Sequence, residues 1–192
     1  MNASPTHTPY IEPWLSGTDA DVPAAGRAVL HALDLSLDDL TKWTAGLTDA
    51  EVHAEPLGLT SIAFHLRHIA RSVDRILTYA EGGQLSAEQL VALKTEQSGS
   101  KQSGAEQAAP GLGGEGKREP LAELLAEVEI SFSDAADRIR VLATADLNTP
   151  RFVGRKQLPT SIGGAMIHVA DHTQRHTGQV VTTAKVVNAL RT

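Results

Sequence analysis

Apolar residues recur along the chain at alternating steps of three and four, which is the spacing of one face of an α-helix. The first such stretch predicts a helix over about 23–47, and Pro23 suits its first turn because the missing N–H would be unpaired there in any case. The positions on its predicted buried stripe are Leu30, Leu33, Leu37, Leu40, Thr44 and Leu47.

The same rhythm predicts three more long helices and one shorter helical piece. They cover about 60–80, 120–142 and 160–190, with the shorter piece over 86–96. Hydroxyl residues that can cap a helix N-terminus precede two of them, Thr60 or Ser61 in one case and Thr160 or Ser161 in the other. Four long amphipathic helices without a clear strand pattern predict an all-α fold, a four-helix bundle.

Three segments break the helical pattern. Residues 1–20 contain three prolines and predict an irregular lead-in, whose apolar Tyr10, Ile11, Trp14 and Leu15 we expect to pack onto the domain as a flap, with a partner-binding segment as the alternative. Residues 97–119 carry six glycines and predict a flexible linker between the second and third long helices. Residues 148–159 predict a short turn or a hairpin. We interpret 21–192 as a single domain.

The composition narrows the functional classes. The chain has 192 residues, 17 Lys plus Arg against 23 Asp plus Glu, and a formal net charge of −6, the wrong sign for a protein that coats nucleic-acid phosphates. No stretch approaches the roughly 18 apolar residues of a membrane span, and the first nine residues do not resemble a secretory signal. We therefore expect a cytoplasmic protein without nucleic-acid or membrane partners. The absence of cysteine excludes thiolate nucleophiles and sulfur-ligated metals.

Five of the eight histidines cluster on two predicted helices, His65 and His68 on one, and His168, His172 and His176 on the other. Residues four apart on a helix differ by only about 40° in direction, so His172 and His176 can both reach one ion. A histidine from a facing helix would complete a three-imidazole site, which leaves positions open for water or substrate. Burial favours His65 as the third ligand, although a site at the bundle edge would also admit His68.

The alternative interpretation is that these histidines are partly buried and bonded to carboxylates such as Asp74 or Asp171. Arginines also recur near them, at positions 67, 71, 75 and 175. They would either anchor an anionic substrate or pair at the surface with Asp74 or Glu81, and surface pairing is the more common role.

Two segments resemble the DinB-like (DinB/YfiT) superfamily of metal-dependent four-helix-bundle proteins. They are Ser61–Arg75, which contains His68-Ile-Ala, and His168–Gln179, which contains His-x-x-x-His followed by Thr-Gly-Gln. The resemblance implies that His68, His172 and His176 are the metal ligands. It leaves His65, His168, Asp171, Arg175 and Gln179 as residues that surround the site or line its pocket.

Family members with an assigned activity are mostly transferases of low-molecular-weight thiols. The resemblance therefore implies an enzyme in which a divalent ion, zinc, nickel or iron, activates a thiol cosubstrate or water, as in an S-transferase or a hydrolase. We also expect a small-molecule substrate and a homodimer. A non-catalytic metal-binding scaffold dimer and a small-ligand binding protein with an unmetallated pocket are the alternatives.

Overall fold

The computed structural model describes residues 10–102 and 118–191. Within these ranges the chain is mostly helical, as predicted, with one small antiparallel hairpin. The elements are α1 (Ala24–Thr44), α2 (Asp49–Val52), α3 (Ile62–Ala80), α4 (Ala87–Gln102), α5 (Leu121–Leu142), β1 (Pro150–Val153), β2 (Leu158–Ser161) and α6 (Ile162–Ala189), with short 3₁₀ turns at Pro13–Leu15 and Pro56–Gly58.

The four long helices α1, α3, α5 and α6 form the bundle. Helix α6 packs against both α1 and α3, and α5 packs against the same two helices, which closes a ring of four. Helices α3 and α5 are therefore neighbours despite the long connection between them. The apolar stripes predicted from the sequence meet in one core, which includes Val29, Leu33, Leu40, Leu66, Ile69, Val73, Val128, Ile139, Val169 and Val180.

Serine caps fix the beginnings of the two helices that carry the histidines. The hydroxyl of Ser61 accepts from the backbone N–H of Phe64 at 3.2 Å, and that of Ser161 accepts from Gly164 at 3.0 Å. Each bond satisfies one of the donors that a helix N-terminus leaves unpaired. Of the two candidates at each helix start, the serine is therefore the cap.

The segment predicted as a turn or hairpin is a hairpin. Strands β1 and β2 pair antiparallel, with Pro150 opposite Ser161 and Val153 opposite Leu158. Strand β2 continues into α6 without a loop, because Ser161 ends the strand and caps the helix. The N–H groups of Ile162 and Gly163 also bond to carbonyls just before the hairpin. The hairpin thus has a fixed position beside the first turns of α6.

The predicted linker begins later than the glycine content indicated, because α4 continues to Gln102. Its remaining residues 103–117 lie outside the described part of the chain, as do residues 1–9 of the lead-in. The described lead-in lies against α1, but it is not the predicted apolar flap, since its large apolar side chains stay 57–62% exposed. Two of them bond instead to acidic side chains, Tyr10 to Asp38 and Trp14 to Glu12.

No helix in the described ranges has the length and apolar character needed to cross a membrane.

Candidate metal centre

Helices α3 and α6 bring three histidines together near the wall of the bundle. His68, His172 and His176 each place a ring nitrogen within 4.8 Å of the other two. Nε2 of His68 lies 2.9 Å from Nε2 of His172, and the rings of His68 and His176 are 4.5 Å apart between centroids. His172 and His176 share one helix face because they are one turn apart.

A buried carboxylate holds His68 from behind. Glu96 of α4 lies 3.0 Å from Nδ1 of His68, and the guanidinium of Arg75 binds both oxygens of the same carboxylate at 2.8 and 2.9 Å. The ring of Phe64 stacks on His68 with 7° between the two planes. These contacts leave the His68 ring little freedom to rotate.

The Glu96 contact also decides which nitrogen of His68 can bind a cation. An ionised carboxylate only accepts hydrogen bonds, so Nδ1 carries the proton and donates it to Glu96. Nε2 is then unprotonated, and its lone pair faces His172. A carboxylate that orients a histidine in this way is the usual partner of a metal ligand.

His65 supports the third member of the cluster. It is buried, and its Nδ1 lies 3.0 Å from Nδ1 of His176, which leaves Nε2 of His176 as the nitrogen available to a cation. Periodicity alone left His65 and His68 open as candidates. The structure gives the two residues different positions. His68 belongs to the converging group, and His65 lies behind His176.

His65, His172 and His176 are electrically neutral at neutral pH. Burial lowers the pKa values of His65, His172 and His176 to about 4, and repulsion from neighbouring histidines acts in the same direction. Neutral imidazoles offer lone pairs, and a divalent transition-metal ion takes nitrogen ligands in this form. The donor set therefore can hold a metal ion.

Three of the surrounding residues named from the sequence lie on the exposed side of α6. The side chain of His168 is 52% exposed, and its ring centroid is 5.3 Å from that of His172. Asp171 bonds to Arg175 at 2.7 Å and lies 3.8 Å from Nδ1 of His168. Asp171 and Arg175 thus form an exposed pair one turn apart.

Gln179 approaches the cluster from the other direction. Its hydrogen bond to His176 acts to raise the pKa of that histidine, against the larger lowering by burial. Gln179, His65 and Arg175 also line a polar cavity of about 370 Å³.

The arginines of α3 are paired, but not with the partners expected from the sequence. Their partners are Glu119 for Arg67, Glu127 for Arg71 and Glu96 for Arg75. Asp74 and Glu81, the expected partners, instead bind Arg138 of α5. The expectation was wrong because these two carboxylates face α5, where Arg138 reaches both of them. Asp74 is likewise not the carboxylate that binds a clustered histidine, since Glu96 occupies that place.

Comparison with known families agrees with this geometry. A family model described as the DinB superfamily matches residues 32–180, which includes every residue of the histidine cluster. The chain belongs to the DinB superfamily. No curated protein matches the chain.

In this DinB-superfamily protein the cluster opens onto a cavity of about 390 Å³. His68, His172 and His168 line one side of it, and Tyr79 and Arg75 line it farther along α3. Its remaining surface is mainly apolar and comes from α3, α4, the hairpin and the first turns of α6. A small molecule in this cavity would lie directly beside the imidazoles.

Sequence reasoning missed Glu96 as a member of the site. One signal could have pointed to it, because Arg75 lies seven residues, or about two turns, after His68 on the same side of α3. An arginine on the buried face of a helix, as Arg75 is, needs a carboxylate nearby. The spacing does not say which carboxylate, since Glu96 reaches the site from a different helix.

Proposed function

We propose that this protein is a metal-dependent enzyme of the S-transferase or hydrolase type, with one divalent ion held by His68, His172 and His176. The observation that carries the proposal is the convergence of three histidines next to a cavity whose wall includes two of them, His68 and His172, with buried side chains behind the imidazoles. A divalent ion, when bound, lowers the pKa of a coordinated thiol or water and polarises an electrophile beside it.

The rest of the chemistry follows from this chain's own residues. Glu96 and Arg75 keep the lone pair of His68 directed into the cluster, and His65 does the same for His176. Three protein ligands leave coordination positions for reactants, whereas a structural zinc site takes four. Because the chain contains no cysteine, any thiol must be a low-molecular-weight cosubstrate.

The ion in this proposal is zinc, nickel or iron, all of which accept imidazole ligands. We propose that the protein acts on a small molecule in the cytoplasm. Its net charge of −6 argues against a nucleic-acid partner. We also propose a homodimer, which sedimentation of the purified protein would test.

A non-catalytic scaffold and a ligand-binding protein without metal remain the competing functions. The exposed apolar side chains of the lead-in favour the first, since exposed apolar groups that lie together often mark contact surfaces. The apolar cavity favours the second. Metal content separates the ligand-binding protein from the other two, and turnover separates enzyme from scaffold.

The first experiment measures metal in protein purified without a histidine tag, for the wild type and for His172→Ala. We expect about one ion per wild-type chain and a loss of binding in the variant, because only two of the three ligands remain. Circular dichroism should show the same helix content in both. His168→Ala is the matched control. It removes another histidine of α6, one outside the converging group, and the variant should retain the metal.

Wild-type protein that takes up no divalent ion on titration would contradict the proposal. The second experiment then incubates metal-loaded protein with low-molecular-weight thiols and electrophilic acceptors, and separately with hydrolysable esters and amides. Activity that requires both the ion and His172 is the expected result. Inactivity across both panels would favour the scaffold.

A further inference from the structure

A second cavity lies directly next to the one that opens on the histidines. Each has a volume of about 390 Å³, within the range of small-molecule sites in proteins. They share four lining residues, Tyr79, Leu85, Leu93 and Val153. The shared residues come from α3, the α3–α4 connection, α4 and β1, so both cavities follow the channel between α4 and the hairpin. Together they form what we call the groove.

The groove changes in chemical character along its length. Near the metal ligands its walls include Ile76, Leu85, Leu93 and Ala165. At the far end, three basic residues join the lining, namely Lys94, Arg155 and Lys156. Among the described residues, neither cavity is lined by an aspartate or a glutamate. This is unexpected for a chain with 23 acidic and only 17 basic residues, and it makes the far end complementary to an anion.

The hairpin fixes the position of the basic end. Arg155 and Lys156 are exposed and occupy the turn between β1 and β2, where Gln157 N–H bonds to the Gly154 carbonyl at 3.1 Å. Arg151 in β1 donates to the carbonyl of Ala80 at the end of α3, which ties the hairpin to the bundle.

Arg75, the arginine in the lining of the cavity beside the histidines, is already neutralised by two hydrogen bonds to Glu96. The hairpin turn is therefore the part of the groove that can attract an anionic group.

We propose that the groove binds an amphipathic anion, with its apolar body beside His68 and His172 and its carboxylate, sulfonate or phosphate group at Arg155 and Lys156. This names the substrate class of the same site and rests on the proposed function for its catalytic meaning. Binding itself needs only the groove. In such a complex the anionic group lies away from the metal ligands, and the opposite end of the molecule meets them.

The test compares three probes with the same chain length, decanoate, 1-decanol and decyltrimethylammonium, by calorimetric titration of the full chain with and without divalent metal. We expect decanoate to bind most tightly and its affinity to fall with added salt, because exposed charges are screened. Amide chemical-shift changes should centre on groove residues such as Leu85 and Val153.

The double variant Arg155→Ala/Lys156→Ala removes the proposed anion site. It should weaken decanoate binding by about three- to tenfold, the range expected for two exposed charge contacts, and leave decanol binding unchanged. Lys42→Ala/Lys185→Ala is the matched control. It removes the same charge from a surface where both lysines lie over the ring of Trp43, and Lys185 is about 20 Å along α6 from His172. The control should bind decanoate as the wild type does.

Equal binding of decanoate and decanol, no binding of either, or an undiminished decanoate affinity in Arg155→Ala/Lys156→Ala would each overturn the inference. A carboxylate that bound the metal instead would give the last of these results. The titration requires no turnover and no metal. A protein that prefers decanoate but binds no ion would support the anion site in the groove and refute the proposed metalloenzyme. An active metalloenzyme with no preference for decanoate would support the enzyme and refute the anion site.

Discussion

Glu96 shows how one buried side chain can connect several parts of a site. Its side chain is only 8% exposed, and burial alone would raise its pKa. Hydrogen bonds from His68 and Arg75 outweigh this effect, so the pKa of Glu96 lies below its usual value and the carboxylate stays ionised. A buried charge is tolerated only when it is paired, and here the pairing also orients His68.

Replacing Glu96 by Gln should weaken metal binding, and it should also lower the stability of the fold, because the buried guanidinium of Arg75 loses its charged partner. The amide has nearly the same shape, but its oxygen is a weaker acceptor for the Nδ1 proton of His68. Loss of such a supporting group typically costs about 10- to 100-fold in metal affinity. Competition with a chelator of known affinity measures the change. Glu127→Gln is the matched control, since Glu127 of α5 pairs with Arg71, which lies on the same helix as His68. Equal affinities in the two variants would refute the orienting role of Glu96.

At the scale of residues, the sequence predicts the histidines better than their supports. A pair four positions apart on one helix is visible in the sequence because helix geometry alone makes it converge. Glu96 lies 28 positions after His68 on another helix, and only tertiary packing brings it there. The choice between His65 and His68 was beyond periodicity for the same reason, because both lie close to the facing helix.

Among the helices, α1 and α5 approach each other very closely at one glycine. A Cβ added at Gly26 would lie 2.4 Å from the Cβ of Ala143. Carbon atoms do not approach each other so closely without contact strain, and the backbone of neither helix can shift alone in a packed bundle. Gly26 therefore sets the separation of α1 and α5.

Gly26→Ala should destabilise the protein by about 1–3 kcal/mol, the usual cost of overpacking a core. Gly178→Ala provides the contrasting control, because a Cβ there meets nothing within 4 Å. That change should stabilise the protein by up to about 1 kcal/mol, since alanine has the higher helix propensity. Urea unfolding of both variants measures the difference. A Gly26→Ala protein as stable as Gly178→Ala would contradict the close approach.

Long elements follow from the sequence pattern, and short ones do not. The four bundle helices were predicted within a few residues, because each has enough turns for its apolar period to be counted. Helix α2 has only four residues and was missed. It depends on a reciprocal cap, in which Thr48 accepts from the N–H of Glu51 and Glu51 accepts from the N–H of Thr48. The extension of α4 to Gln102 was missed because glycine and serine content indicated a linker.

At the scale of the whole molecule, the proposed ion would link two helices that are far apart in sequence. His68 and His172 are separated by 104 positions, and their imidazoles converge only when α3 and α6 are packed together. An unfolded chain holds no such arrangement. The ion should therefore bind the folded state selectively and shift the folding equilibrium towards it.

Added divalent metal should raise the melting temperature of the wild-type protein. At a free concentration a hundredfold above the dissociation constant, the gain is about 2.7 kcal/mol, or about 5–10 °C for a chain of this size. Differential scanning calorimetry across a metal titration measures it. His172→Ala should show no increase, and His168→Ala should behave as the wild type. An equal rise in His172→Ala would place the ion elsewhere.

The basic end of the groove and the histidine cluster lie on separate parts of the chain, the hairpin turn and the bundle helices. The proposed metal ligands belong to the packed helices α3 and α6, whereas the basic end of the groove belongs to a four-residue turn at the surface. Insertions and substitutions are tolerated far better in a surface turn than in packed helices. Changes within residues 154–157 can therefore alter the proposed anion preference without disturbing the packing that brings the histidines together.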